Sequence, residues 1–158
     1  MSASVLFVCT GNTCRSPLAA VMARRLAAAR GLDLLFSSAG TSASDGAPAS
    51  DGSILVGLER ELDLSTHRSR ILTRELVAEA TLVLGMSGHH VAQVRALGGD
   101  AKVHLLADFA ALEPTGRSIL DPFGADLDAY RRMADELDAV LPRVIERLAA
   151  ERTGSDPA

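Results

Sequence analysis

The chain has 158 residues, 47% of them hydrophobic and 23% charged, and a formal net charge of −4. That length and apolar content suit one globular domain with its own core and exclude a disordered chain. The acidic balance argues against a nucleic-acid partner, and no apolar run approaches the ~20 residues of a membrane span.

The apolar run 5–8 is too short for a signal-peptide core and has no basic stretch before it. A cytoplasmic location with no membrane partner is therefore expected. Aromatic residues make up only 3% and Trp is absent, so the core must be built from Leu, Val, Ile and Ala.

In chain order the pattern alternates. Residues 4–9 read as a buried strand, with Val5, Leu6, Phe7 and Val8 as a continuous apolar run. A helix is predicted over 17–30, with Ser16 as its N-cap, Pro17 at its first position and Gly31 as its stop. Leu18, Val21, Met22 and Leu26 give it one apolar face. A second strand is predicted over 33–38, then a loop of small residues, GTSASDGAP, over 40–48. A second helix is predicted over 48–62, although Gly52 and Gly57 are poor helix formers. A polar link over 63–70 leads to a brief helix capped by Thr73 and ending near Ala80.

Residues 81–86 predict a third strand, 87–98 a helix stopped by Gly98 and Gly99, and 102–106 a fourth strand. The connection 108–124 is long, and long loops in compact domains are often functional. The last helix is predicted over 126–150, its period marked by Leu127, Tyr130, Met133, Leu137, Val140, Val144 and Leu148. Pro142 is expected to kink it. The domain is placed at 1–151, and a disordered tail at 152–158. Strands alternating with helices indicate an α/β domain on a parallel sheet, where ligands bind at the carboxyl ends of the strands.

Such an end carries both of the chain's cysteines, Cys9 and Cys14, in VLFVCTGNTCRSPLAA. Two cysteines make neither a disulfide framework nor a structural zinc site, and no metal or cofactor is called for. A strand, a Gly-containing loop and a helix N-terminus together form an anion cradle. It is not a nucleotide loop, because the Gly-Lys-Ser/Thr ending is missing. Cys9, five residues and Arg15 instead suit one tetrahedral anion, with sulfur below and a planar guanidinium gripping two oxygens at the rim. A helix N-terminus beside an arginine favours the thiolate, which makes Cys9 a candidate nucleophile. The plainer reading is a core cysteine ending a strand.

Attack by a thiolate on phosphorus needs a proton donor for the leaving group. Asp121, stiffened by Pro122, is the best candidate, although on the residues alone a turn-capping role is the simpler account. The adjacent His89 and His90 point apart on a helix and read as a solvated helix start rather than a metal pair. Arg68 and Arg70 suit either an acidic substrate or a surface role.

CTGNTCRSP at 9–17, SAGT at 38–41, LSTHRSRIL at 64–72, DPFG at 121–124 and YRRMADEL at 130–137 resemble the low-molecular-weight protein tyrosine phosphatases over nearly the whole chain. The resemblance implies a four-stranded parallel sheet with helices on both faces. It implies a cysteinyl-phosphate intermediate on Cys9. Arg15 and the backbone amides of Thr10, Gly11, Asn12, Thr13, Cys14 and Ser16 would hold the phosphate. Asp121 would serve as acid and then as base. It further implies that Ser16 hydrogen-bonds Cys9, that Asn12 holds the loop in a strained shape, and that Ser38 and His67 support it. The partner would be a phosphorylated protein.

Within that family the chain is most similar to the bacterial protein-arginine phosphatases, through Thr13 and through Phe123-Gly124. The Thr13 hydroxyl can accept an N–H of phosphoarginine, and Phe123 can stack on the flat guanidinium. Ser42 and Ser44 stand where members often place an aromatic at the pocket mouth. Tyrosine-directed activity is the alternative reading. An arsenate reductase would need downstream relay cysteines, which are lacking. A non-catalytic phosphoprotein-binding module would typically have lost Cys9 or Asp121. Cys14 is read as a redox partner for Cys9.

Overall fold

The structure, a computed structural model, describes residues 2–152. The predicted disordered tail therefore lies outside the described residues, except that Arg152 ends the last helix. Four strands, β1 (Ala3–Cys9), β2 (Leu34–Gly40), β3 (Leu82–Gly85) and β4 (Val103–Leu105), form one parallel sheet in the order β2-β1-β3-β4. β1 is central, and the topological switch point lies beside it, so the loop leaving Cys9 opens at the sheet's carboxyl edge.

The period-two alternation of β1 decides the two cores. Val5, Phe7 and Cys9 face one cluster with α1 (Arg15–Ala29), α2 (Asp51–Leu58), α5 (Leu106–Ala111) and α6 (Leu127–Arg152). Leu6 and Val8 face the other, with α3 (Arg74–Glu79) and α4 (Gly88–Val94). A strand buried on both faces must read as a continuous apolar run, as β1 does.

Several boundaries depart from the sequence reading. α1 begins at Arg15, and its N-cap position is Cys14 rather than Ser16. Its end is as expected: Gly31 takes φ 66, and the amides of Gly31 and Leu32 bond back to the carbonyls of Ala28 and Ala27. α2 is much shorter than 48–62. It is closed by the same motif built on Glu61 at φ 60. Its two glycines are close-approach positions rather than weaknesses. A Cβ at Gly52 would sit 2.5 Å from the Tyr130 ring, and one at Gly57 would sit 2.8 Å from Leu64.

Thr73 caps α3 as predicted, its hydroxyl accepting from Leu76 N–H at 3.2 Å. The α-helix predicted over 87–98 stops at Val94 and passes into a π-turn, Arg95–Gly99, because Gly98 takes φ 93. α5 occupies the start of the connection read as loop; six residues are too few to show a helical period. The rest of that connection is organised by Asp108, whose Oδ1 accepts from Thr115 N–H, Thr115 Oγ1–H and Gly116 N–H. α6 is one unbroken helix through Pro142.

Candidate active site

β1 delivers Cys9 to the sheet edge with 2% of its surface exposed, and its Sγ lies 2.9 Å from Ser16 Oγ in the first turn of α1. Ser16 does not cap the helix, and this frees its hydroxyl to face inward. Its neighbours leave Ser16 able to donate across that bond to an ionised sulfur, which can only accept. Arg70 N–H can only donate, and it donates to Asn12 Oδ1 at 2.9 Å. The other end of the amide, Nδ2, then donates to Ser16 Oγ at 2.8 Å. With its oxygen accepting from Asn12, Ser16 has its own hydrogen to give to Cys9.

Asn12 is fully buried and holds φ 56, a left-handed conformation that asparagine tolerates better than most residues. Its carbonyl is bonded by His67 Nε2 at 2.7 Å. Burial lowers the His67 pKa below the usual imidazole range, and the bond to Asn12 opposes that shift. A neutral His67 keeps one ring N–H, sufficient to donate to the Asn12 carbonyl. Ser38 enters only through its main chain. Its carbonyl accepts from Arg70 Nε at 2.9 Å, so Arg70 is a structural tie between β2 and the loop rather than an outward-facing cation.

Arg15 is 4% exposed. Its Nη1 donates to the Ile119 carbonyl at 3.1 Å, and its Nη2 lies 3.6 Å from Asp121 Oδ2. Asp121 is half-exposed and accepts Phe123 N–H on Oδ1 at 3.1 Å. The segment before it is pinned twice. Ile119 N–H donates to the Met86 carbonyl at the end of β3, and Leu120 N–H to Glu136 Oε2 of α6 at 2.6 Å. Neither anchor was legible in the sequence.

Cys9, Thr10, Gly11, Thr13 and Arg15 line a cavity of about 160 Å³, with Asp121 and the largely exposed Phe123 at its edge. Thr13 is held from behind, its carbonyl accepting Ser50 N–H at 2.9 Å and Ser50 Oγ–H at 3.1 Å. Cys14 also lines the cavity. Its Sγ donates to Ser50 Oγ at 3.3 Å and lies 3.4 Å from Tyr130 Oη. Burial first, then the bond with Cys14, push the Tyr130 hydroxyl's pKa up. A buried guanidinium, a sulfur and a helix N-terminus converging on a small cavity can hold one compact anion against a nucleophile.

His90 corrects the reading of the histidine pair. His89 is exposed, but His90 is fully buried, with Nε2 2.8 Å from Thr10 Oγ1. Its Nδ1 accepts from Ser87 N–H at 3.1 Å. Burial, and then the neighbouring His89 and Arg15, lower its pKa to about 3. The sequence signal was weak: a histidine three residues after a serine at a helix start, which here closes a capping box.

The family model for low molecular weight phosphotyrosine protein phosphatase matches residues 4–154. The chain is 36% identical over 152 residues to a protein-arginine-phosphatase of Bacillus subtilis, covering 94% of this chain and 98% of that protein. It is 33% identical over 134 residues to the low molecular weight protein-tyrosine-phosphatase PtpB of Staphylococcus haemolyticus, covering 84% and 91%. The solved structure of the YwlE arginine phosphatase from Geobacillus stearothermophilus superposes with a TM-score of 0.87 at 34% identity, covering 99% of each chain.

Proposed function

The chain belongs to the low molecular weight phosphotyrosine protein phosphatase family, and from that premise we propose that it removes phosphate from phosphoarginine in proteins through a cysteinyl-phosphate intermediate. The Cys9 sulfur attacks phosphorus, and the P–N bond breaks with its electron pair moving to the guanidinium nitrogen. Asp121 gives that nitrogen a proton. Its carboxylate then takes a proton from water, and the resulting oxygen attacks phosphorus, releasing inorganic phosphate and the Cys9 thiolate. Arg15 and the loop amides carry the charge on the phosphoryl oxygens throughout. Ser16 stabilises the thiolate by donating to it. Asn12, His67 and the Ser38 carbonyl hold the loop that makes this geometry.

One observation carries the arginine reading: Thr13 lies in the cavity wall beside Cys9 and Arg15. A phosphoarginine brings N–H donors close to phosphorus, where a threonine oxygen can accept one and an aliphatic side chain cannot. Phe123 at the rim offers a face to the flat guanidinium. The similarity to a Bacillus subtilis protein named for arginine phosphatase activity supports the same choice.

The test compares phosphate release from matched phosphoarginine and phosphotyrosine peptides, in the parent and in Thr13→Ile. The parent should favour phosphoarginine, and Thr13→Ile should lose roughly tenfold on it, the worth of one hydrogen bond, while gaining on phosphotyrosine. A parent that prefers phosphotyrosine would make the chain a tyrosine phosphatase. Hydrolysis of neither would sink the catalytic reading.

A further inference from the structure

Thr10 Oγ1 meets His90 Nε2 at 2.8 Å across an interval of 80 residues, and the other ring nitrogen settles which atom donates. A main-chain N–H has no acceptor capacity, so Ser87 N–H can only give its hydrogen to His90 Nδ1. Ser87 Oγ also lies 2.8 Å from Nδ1, and its hydroxyl can donate there as the main-chain N–H does, so Nδ1 is bare and the neutral ring carries its proton on Nε2. That proton goes to Thr10 Oγ1. Burial first, then the charges of His89 and Arg15, keep this ring neutral, and Asp121 alone opposes them. With its oxygen accepting from His90, the Thr10 hydroxyl has its own hydrogen left over. Among the described residues no other hydrogen bond of that oxygen is present, and Thr10 lines the cavity that holds Cys9 and Arg15.

The arrangement repeats the logic on the opposite side of the loop. There, Arg70 N–H fixes the Asn12 amide, which leaves the Ser16 hydrogen available to Cys9. Here, Ser87 N–H fixes the His90 ring, which turns the Thr10 hydrogen away from α4. Each chain starts at a main-chain donor, passes through a fully buried polar side chain and ends in a hydroxyl with a hydrogen to give. The first chain ends on the sulfur.

We propose that the second ends on the substrate: His90 is a positioning residue that holds Thr10 Oγ1 as an acceptor, so that the Thr10 hydroxyl donates to an oxygen of the phosphoryl group bound over Cys9. This rests on the phosphatase reading for the identity of the anion, but it needs only that the loop binds phosphate.

The two amide replacements separate positioning from simple support of the fold. Glutamine can place an N–H near the position of Nε2 and keep the bond to Thr10. Asparagine places its amide near Nδ1, so it can keep the bond from Ser87 N–H but cannot reach Thr10. Binding is read with inorganic phosphate, both as its inhibition constant against p-nitrophenyl phosphate and as protection of Cys9 from alkylation by iodoacetamide. His90→Asn and Thr10→Val should each weaken phosphate binding by about tenfold, the loss of one hydrogen bond to a charged group. His90→Gln and Thr10→Ser should recover most of the affinity. In a Thr10→Val background, His90→Asn should add nothing, because both changes remove the same bond.

The reverse ranking, with His90→Asn near the parent and His90→Gln impaired, would mean that His90 serves only the start of α4 and would overturn the proposal. So would additive losses in the double variant, or a parent whose Cys9 phosphate does not protect. If the glutamine variant does not fold, the cycle of Thr10→Val, His90→Asn and their double variant decides between the same outcomes. A parent that binds phosphate but hydrolyses no phosphorylated substrate would end the catalytic reading and leave this ranking still legible.

Discussion

Cys9 Sγ and Ser16 Oγ lie 2.9 Å apart, with the serine oxygen accepting from Asn12 and its hydrogen available to an ionised sulfur. A hydrogen bond to an ionised acceptor is worth about 1.5–3 kcal/mol. Ser16→Ala should therefore slow alkylation of Cys9 by iodoacetamide at neutral pH and lower the phosphatase rate by at least about tenfold. Cys9→Ser should abolish turnover. Alkylation of Ser16→Ala at the parental rate would show that the serine does not act on the sulfur.

The proton donor is tested by leaving-group dependence. Asp121 is half-exposed and faces Arg15 at 3.6 Å, within reach of a group entering the cavity. Asp121→Asn keeps the shape and loses the proton. The variant should be slowed most on poor leaving groups, by about 10²–10⁴, and least on p-nitrophenyl phosphate. A uniform loss across leaving groups would assign Asp121 to binding instead.

Gly40 is where β2 passes beneath the loop. A Cβ there would lie 2.5 Å from the Thr10 carbonyl oxygen and 2.8 Å from Asn12 N, both main-chain atoms. The loop must move to admit it. Gly40→Ala should cost about 1–3 kcal/mol of stability in urea denaturation, with a disproportionate loss of phosphate binding because the displaced atoms belong to the cradle.

Acid should weaken the fold through its histidines before most carboxylates titrate. Burial holds His90 near 3 and lowers His67 and His104 as well. The unfolded chain binds these protons near pH 6.5 and the folded chain does not, so their contribution is complete above 6.5 and is lost progressively as pH falls. For His90 the loss runs from about 6.5 down to about 3, and it amounts to about 2 kcal/mol by pH 5. Denaturant unfolding at pH 7.5 and pH 5 measures it. His90→Gln should flatten the decline by a similar amount.

Cys14 shares the cavity with Cys9 and gives its thiol hydrogen to Ser50. We expect peroxide to inactivate the enzyme reversibly, with a Cys9–Cys14 disulfide protecting the sulfur from irreversible oxidation. Cys14→Ser should then recover far less activity with dithiothreitol after the same exposure. Equal recovery would remove Cys14 from the redox chemistry.

The strand, the cysteine and the arginine six residues on are legible because they are neighbours in the chain, whereas Ser16, read from spacing as the helix N-cap, proves to face the sulfur instead. Their spacing alone builds an anion site at a helix N-terminus. The apolar run of β1 likewise announces a strand buried on both faces. What lay beyond reach is carried by bonds between residues distant in sequence. Asn12 meets Arg70, Thr10 meets His90, Arg15 meets Ile119, and Leu120 meets Glu136; the support of the loop by His67 came only from the family resemblance. Such bonds leave no period and no spacing to read. His90 is the clearest case: beside His89 in the chain it looked like a solvated helix start. Only the packing of α4 against the carboxyl edge of the sheet buries it, strips it of its charge and aims its one proton at the loop.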